Sequence, residues 1–135
     1  MKPYEEVPHT ADWALRVWGK TPGELFANAA QGMYDLMGGE PQAEAPAQPR
    51  LVALEAQDEE SLLVAWLNEL LYFTESEELL FDDFQVEVFG GLRLEAQAAG
   101  RPAAALKKQI KAATFHNLEV TRSGNRLEAT IVFDV

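Results

Sequence analysis

The chain contains no cysteine. That excludes a disulfide framework and any thiolate metal site. No run of about 18 uncharged apolar residues occurs, so no membrane-spanning segment is expected. The opening residues, MKPYEEVPHTAD, lack the apolar stretch of a secretory signal. A soluble, cytoplasmic protein is the expectation. Basic residues are scarce as well: 11 Lys and Arg stand against 22 Asp and Glu, for a formal net charge of −11. Those bases are scattered along the chain apart from Lys107, Lys108 and Lys111. Phosphate neutralisation needs clustered cations, so direct nucleic-acid binding is not expected. An acidic surface favours a basic partner, cations, or simply solubility.

Catalytic signatures are missing too. There is no phosphate-cradling G-x-x-x-x-G-K-[ST] and no G-x-G-x-x-G. Ser61, Ser76 and Ser123 lie in no nucleophile-elbow context. His9 and His116 are far apart in sequence and form no zinc-binding H-x-x-x-H pair. Nothing points to an enzyme built around its own nucleophile.

What is present suffices for a packed core. At 135 residues with 47% apolar content, a single domain over residues 1–135 is expected. Residues 12–18, DWALRVW, alternate as a strand with one buried face. Thr21-Pro22-Gly23-Glu24 is a capping box with proline at the first helical position. The helix that follows places Leu25, Phe26, Ala29, Met33, Leu36 and Met37 at helical spacing and stops at Gly38-Gly39. Residues 40–50, rich in Pro and Ala, read as an exposed loop.

A strand from Leu51 leads into a second helix. Its stripe of Leu62, Leu63, Trp66, Leu67, Leu70 and Leu71 reads as core, and Asp58, Glu59 and Glu60 sit in its first turn. Two hairpins follow: FQVEVF and LRLEAQA around Gly90-Gly91, then TFHNLEVTR and RLEATIVFDV around Ser123-Gly124-Asn125. Between them AGRPAAALKKQ reads as a loop. The predicted order is β-α-β-α-β-β-β-β. This is an α+β fold: a two-layer sandwich of an antiparallel-rich sheet with two helices.

One chemical feature stands out. Asp12 begins the first strand and Asp134-Val135 ends the last. If those strands pair antiparallel, the two carboxylates and a terminal carboxylate at Val135 converge, and only a cation relieves their repulsion. Hard oxygen donors suit Ca²⁺ or Mg²⁺. Residue patterns leave this arrangement open against separate solvated strand ends.

Four segments carry a resemblance. HTADWALRVWGKTPGELFANAA, LLVAWLNELLYF, IKAATFHNLEV and the closing FDV occur in this order over nearly the whole chain. Together they resemble the archease family, whose first motif is roughly H-T-A-D, a short strand, then G-[KRD]-T-x-x-E-x-F. The resemblance implies an accessory protein rather than a catalyst. The expected role is activation of the GTP-dependent RNA ligase of tRNA splicing and RNA repair. The accessory protein would promote the ligase's guanylylation and multiple turnover. The alternative partner is a tRNA cytosine-5 methyltransferase, served by a chaperone. A small metal-dependent phosphoesterase is a third reading.

The resemblance also implies a metal site, Ca²⁺ or else Mg²⁺ or Mn²⁺, on Asp12, Asp134 and Val135. Lys111 would meet the partner or a phosphate. His9, Thr10 and His116 would order the loop that presents Asp12. Two departures are visible. The stretch before IKA is short and Ala-rich, and Phe115 stands where the family usually has Tyr.

Overall fold

A computed structural model describes residues 2–7, 13–105 and 109–135. Strands β1 (Tyr4–Val7) and β2 (Trp13–Gly19) precede helix α1 (Pro22–Met37). Strands β3 (Glu40–Pro41) and β4 (Gln48–Glu55) lead to helix α2 (Glu59–Glu77). Then come β5 (Leu79–Phe89), β6 (Arg93–Ala105), β7 (Ala112–Ala113), β8 (Thr121–Ser123) and β9 (Arg126–Asp134). The α+β architecture of two helices with antiparallel strands stands as expected. All the strand pairs among the described residues are antiparallel.

The strands divide into two sheets. One runs β1-β2-β9-β7, with β8 also on β9; the other centres on β6, which pairs with β3, β4 and β5. Both helices touch both sheets: α1 lies on β2 and β5, and α2 on β4, β5 and β7. The core therefore forms around the helices. Phe26, Trp66, Phe81 and Phe133 are fully buried within one cluster that takes residues from both sheets.

The ends of α1 fall where the sequence places them, whereas Asp58, expected in the first turn of α2, is its cap. Thr21 caps α1 by accepting from the Glu24 amide at 3.1 Å, and Gly38 closes it in the left-handed region at φ 63°. Asp58 caps α2 by accepting from the Ser61 amide at 2.7 Å. That bond, then the one to the Ser61 side chain, holds the Asp58 carboxyl below its usual range. Two buried polar links join the helices. Trp66 Nε1 donates to the Phe26 carbonyl at 2.9 Å, and the Tyr34 hydroxyl meets both Thr74 Oγ1 and the Leu70 carbonyl. Among the described residues no buried side-chain N or O atom is left without a partner.

A mid-helix glycine has a packing reason. A Cβ on Gly32 would come within 2.6 Å of Leu15 Cδ2 and 2.9 Å of the Tyr4 ring. The bare backbone lets the β1–β2 pair close onto α1.

Five features differ from expectation, the first being that a strand not expected, Tyr4–Val7, precedes the one read over residues 12–18. Residues 40–50 are not all loop: Glu40–Pro41 pair with the far end of β6, and β4 begins at Gln48, three residues before Leu51. AGRPAAA is strand rather than loop, because β6 continues to Ala105 and its added residues have β5 and β3 to pair with. TFHNLEVTR is not one strand. Only Ala112–Ala113 and Thr121–Ser123 pair with β9, and Asn117, at φ 50°, turns the chain between them. Finally, the β5–β6 connection has three residues, since pairing resumes at Arg93; Gly90 and Gly91 supply the two positive φ values its turn requires.

Candidate functional site

The antiparallel register of β2 with β9 runs from Trp13↔Phe133 to Gly19↔Leu127. It brings the first residue of β2 opposite the last buried residue of β9. Alternation explains why these strands lie where they do. Leu15 and Val17 face the core from β2, and Leu127, Ala129, Ile131 and Phe133 face it from β9. Val132 is buried as well, on the other face.

Past Phe133 the chain emerges. Asp134 and Val135 are exposed, Val135 at 38%. Lys111 is exposed just before β7, and its backbone N–H donates to the Asp134 carbonyl at 2.8 Å. Ala112 lies across from Asp134 in register. Asp134, Val135 and Lys111 thus share one strand end. Among the described residues the Asp134 carboxylate accepts no hydrogen bond and joins no ion pair within hydrogen-bonding range. Lys111 also borders a cavity of about 330 Å³ with Leu71, Glu75 and Ile110.

His116 lies further along. It follows Thr114, whose N–H and hydroxyl both donate to the Val132 carbonyl, at 3.0 and 2.8 Å. The His116 amide donates to Thr114 Oγ1 at 3.3 Å, and its ring nitrogen Nε2 is 3.4 Å from the Asn117 amide. Phe115, beside it, is 58% exposed. His9, Thr10 and Asp12 lie outside the described residues. Among the described residues no group of three or more His, Cys, Asp or Glu side chains is placed to hold a metal ion.

Two residues that the sequence reading passed over hold this region in place. Asn68, half-buried on α2, donates from Nδ2 to the Ala113 carbonyl at 3.3 Å and accepts the Ala113 N–H at 2.8 Å. Its amide imitates a neighbouring strand and closes the outer edge of β7. The Val120 N–H donates to Glu60 Oε2 at 2.9 Å. The 111–120 segment is therefore tied to α2 from below and to β9 from the side. An amide amid the apolar helix WLNELL was the available signal for Asn68, since Asn is a poor helix former. No signal marked Glu60, whose place in the first turn already had a reason. Glu69 is half-buried on the same helix.

The described helices include none long and apolar enough to cross a membrane.

Comparisons with known proteins agree on one likeness. A model described as the Archease protein family (MTH1598/TM1083) matches residues 4–135. The protein named archease from Methanosarcina barkeri is 36% identical over 142 residues, covering 99% of this chain and 97% of that protein. The one from Methanopyrus kandleri is 34% identical over 140 residues, covering 98% and 99%. The solution structure of Methanobacterium thermoautotrophicum protein 1598 matches at TM-score 0.78 and 28% identity, over 100% of both chains. The crystal structure of an archease, possible chaperone, from Thermotoga maritima matches at TM-score 0.73, over 97% of this chain and 96% of that one. At 23% identity that last likeness is one of fold.

Proposed function

The chain belongs to the archease family, and we propose that it is an accessory protein that activates the GTP-dependent RNA ligase of tRNA splicing and RNA repair. It does so by promoting the ligase's guanylylation and multiple turnover. The observation that supports this most is the β2–β9 register, Trp13↔Phe133.

Asp12 is bonded to Trp13, and Asp134 to Phe133. The register therefore sets Asp134 next to the strand end that Asp12 adjoins in sequence, and a shared cation is proposed there. The donor set fits a hard ion: Asp134 and Val135 are exposed at a strand end, and Asp134 joins no ion pair within 4 Å among the described residues.

In this proposal Asp12, Asp134 and Val135 hold Ca²⁺, or Mg²⁺ or Mn²⁺. The bound ion supplies positive charge and open coordination positions on an acidic surface. The residues of the chain do the rest. Lys111, anchored through its N–H to Asp134, presents its ammonium beside the ion for a carboxylate or phosphate of the partner. Asn68 and Glu60 keep that segment from moving away. His9, Thr10 and His116 order the loop that carries Asp12.

The test is a guanylylation and multiple-turnover assay of the ligase from the same cell, with and without this protein. Substoichiometric stimulation that disappears with folded Asp12→Ala is the expected result. Stimulation undiminished in that variant would remove the metal from the reading. No stimulation by the wild-type protein would move the assignment to a tRNA cytosine-5 methyltransferase as partner.

A further inference from the structure

At the opposite end of β9 the scattered bases converge. Lys20, Arg122 and Arg126 line a notch of about 230 Å³ together with Gly124, Asn125 and Leu127. No carboxylate lines it, although the chain has twice as many acids as bases. We propose that this notch, between the β2–α1 turn and the β8–β9 hairpin, binds a phosphate group of single-stranded RNA. The choice of RNA as the source rests on the ligase reading above; the phosphate chemistry rests on the notch itself.

One cation of the notch is held ready. The Arg126 guanidinium is 4.8 Å from the centre of the Trp18 ring, and its NH2 donates to Glu128 Oε2 at 2.9 Å. Arg16 stands 5.4 Å from the same ring and donates through Nε to Glu128 Oε1 at 2.5 Å. One carboxylate and one ring thus fix the Arg126 guanidinium of the notch and that of Arg16 outside it, so little Arg126 side-chain freedom remains to be lost on binding. A guanidinium has five N–H donors, and Glu128 occupies only one edge of Arg126. Lys20 and Arg122 join no ion pair within 4 Å among the described residues. Arg122 acts electrostatically on Glu59, whose carboxyl burial pushes up.

The hairpin turn completes the wall. Gly124 has φ +66° and Asn125 does not share the left-handed region, the arrangement of a two-residue turn that opens with glycine. It leaves the Asn125 side-chain amide as a further donor. A notch smaller than the 300–1,000 Å³ typical of drug-sized sites suits a compact anion.

Long-range charge opposes this binding. At physiological ionic strength the Debye length is about 8 Å, so distant acids are screened while the notch acts at contact. Binding is therefore measured near 0.15 M salt. The full chain, labelled with ¹⁵N, is titrated with inorganic phosphate and separately with a single-stranded RNA octanucleotide. Amide shifts confined to Lys20 and residues 122–127, with RNA the tighter ligand, are expected. The double variant Lys20→Gln/Arg122→Gln changes two exposed side chains and weakens RNA at least tenfold, with the rest of the spectrum unmoved.

Phosphate and RNA binding equally would keep the site and overturn RNA as its source. No shifts at 122–127, or equal affinity in the double variant, would overturn the proposal. The ligase reading fails separately. RNA-free guanylylation is expected to be stimulated normally by the double variant and not by Asp12→Ala, whose hairpin shifts should persist.

Discussion

The two ends of β9 make opposite surfaces from one strand. At its start, Arg126 joins Lys20 and Arg122 around a notch without carboxylates. At its finish, about 27 Å away at ~3.4 Å per residue, Asp134 and Val135 emerge beside Lys111 with oxygens exposed. Between them Leu127, Ala129, Ile131 and Phe133 are buried in the core that both sheets share. A net charge of −11 describes neither end. Sheet pairing sorts the charges, and a rigid apolar middle keeps the two ends apart.

Removing that middle has the largest expected effect. Phe133→Ala deletes a fully buried ring and is expected to cost about 3–5 kcal/mol in a urea unfolding experiment. A cost below about 1 kcal/mol would mean that the two ends do not depend on a common core.

Cation binding separates the ends. Calcium at 100 times its dissociation constant is expected to stabilise the protein by about 2.7 kcal/mol. The gain is read as a rise in melting temperature. It should vanish in Asp134→Asn and survive in Lys20→Gln. A rise unaffected by Asp134→Asn would place the ion elsewhere.

Asn68→Ala sharpens the contrast further. It leaves the Ala113 N–H and carbonyl without their helix partner, an expected loss of about 1–3 kcal/mol. Hydrogen exchange should speed up at Ala113 and stay unchanged at residues 122–127. Equal acceleration at both would show that the ends respond as one unit.

The smallest effect concerns Glu128. Its hydrogen bonds with Arg16 and then Arg126 hold the carboxyl at about 2, below the usual 4.5. A carboxyl lowered on folding adds stability that is present above about pH 4.5. That stability is lost as pH falls through the folded value near 2. Glu128→Gln should therefore flatten the stability profile between about pH 5 and 2, with little change in its shape from pH 6 to 8. Parallel profiles for wild type and variant across the acid range would contradict this account. The group is partly solvated, so the effect is modest.

Much was legible from local patterns. Thr21 caps its helix as expected, because the first amides of any helix need acceptors; Asp58, expected inside the first turn of α2, serves as its cap. Alternation in WALRVW and RLEATIVF marked the buried faces, because strand side chains alternate by geometry. The pairing of β2 with β9, on which any convergence of Asp12 and Asp134 depends, is a contact that no local pattern records.

The failures share a cause. AGRPAAA looks like a loop because Ala, Gly and Pro have low intrinsic strand preference, yet β5 and β3 supply pairing partners that override it. TFHNLEVTR looks like a strand because its residues favour one, yet a turn at Asn117 breaks it, and Asn68 and Glu60 on α2 hold what remains.

By itself the sequence determined the two helices, the Thr21 cap and Gly38 stop of the first, the apolar faces, turns near Gly90-Gly91 and Ser123-Gly124-Asn125, and an α+β fold. These depend on neighbours within a few residues, whose spacing a single chain records. Only the tertiary structure decided that Trp13 faces Phe133, that Asn68 closes β7, and that Lys20, Arg122 and Arg126 share a wall. Those contacts join residues tens of positions apart. Their selection belongs to the packing of both sheets around two helices, where burying the apolar faces together sets the register of everything attached to them.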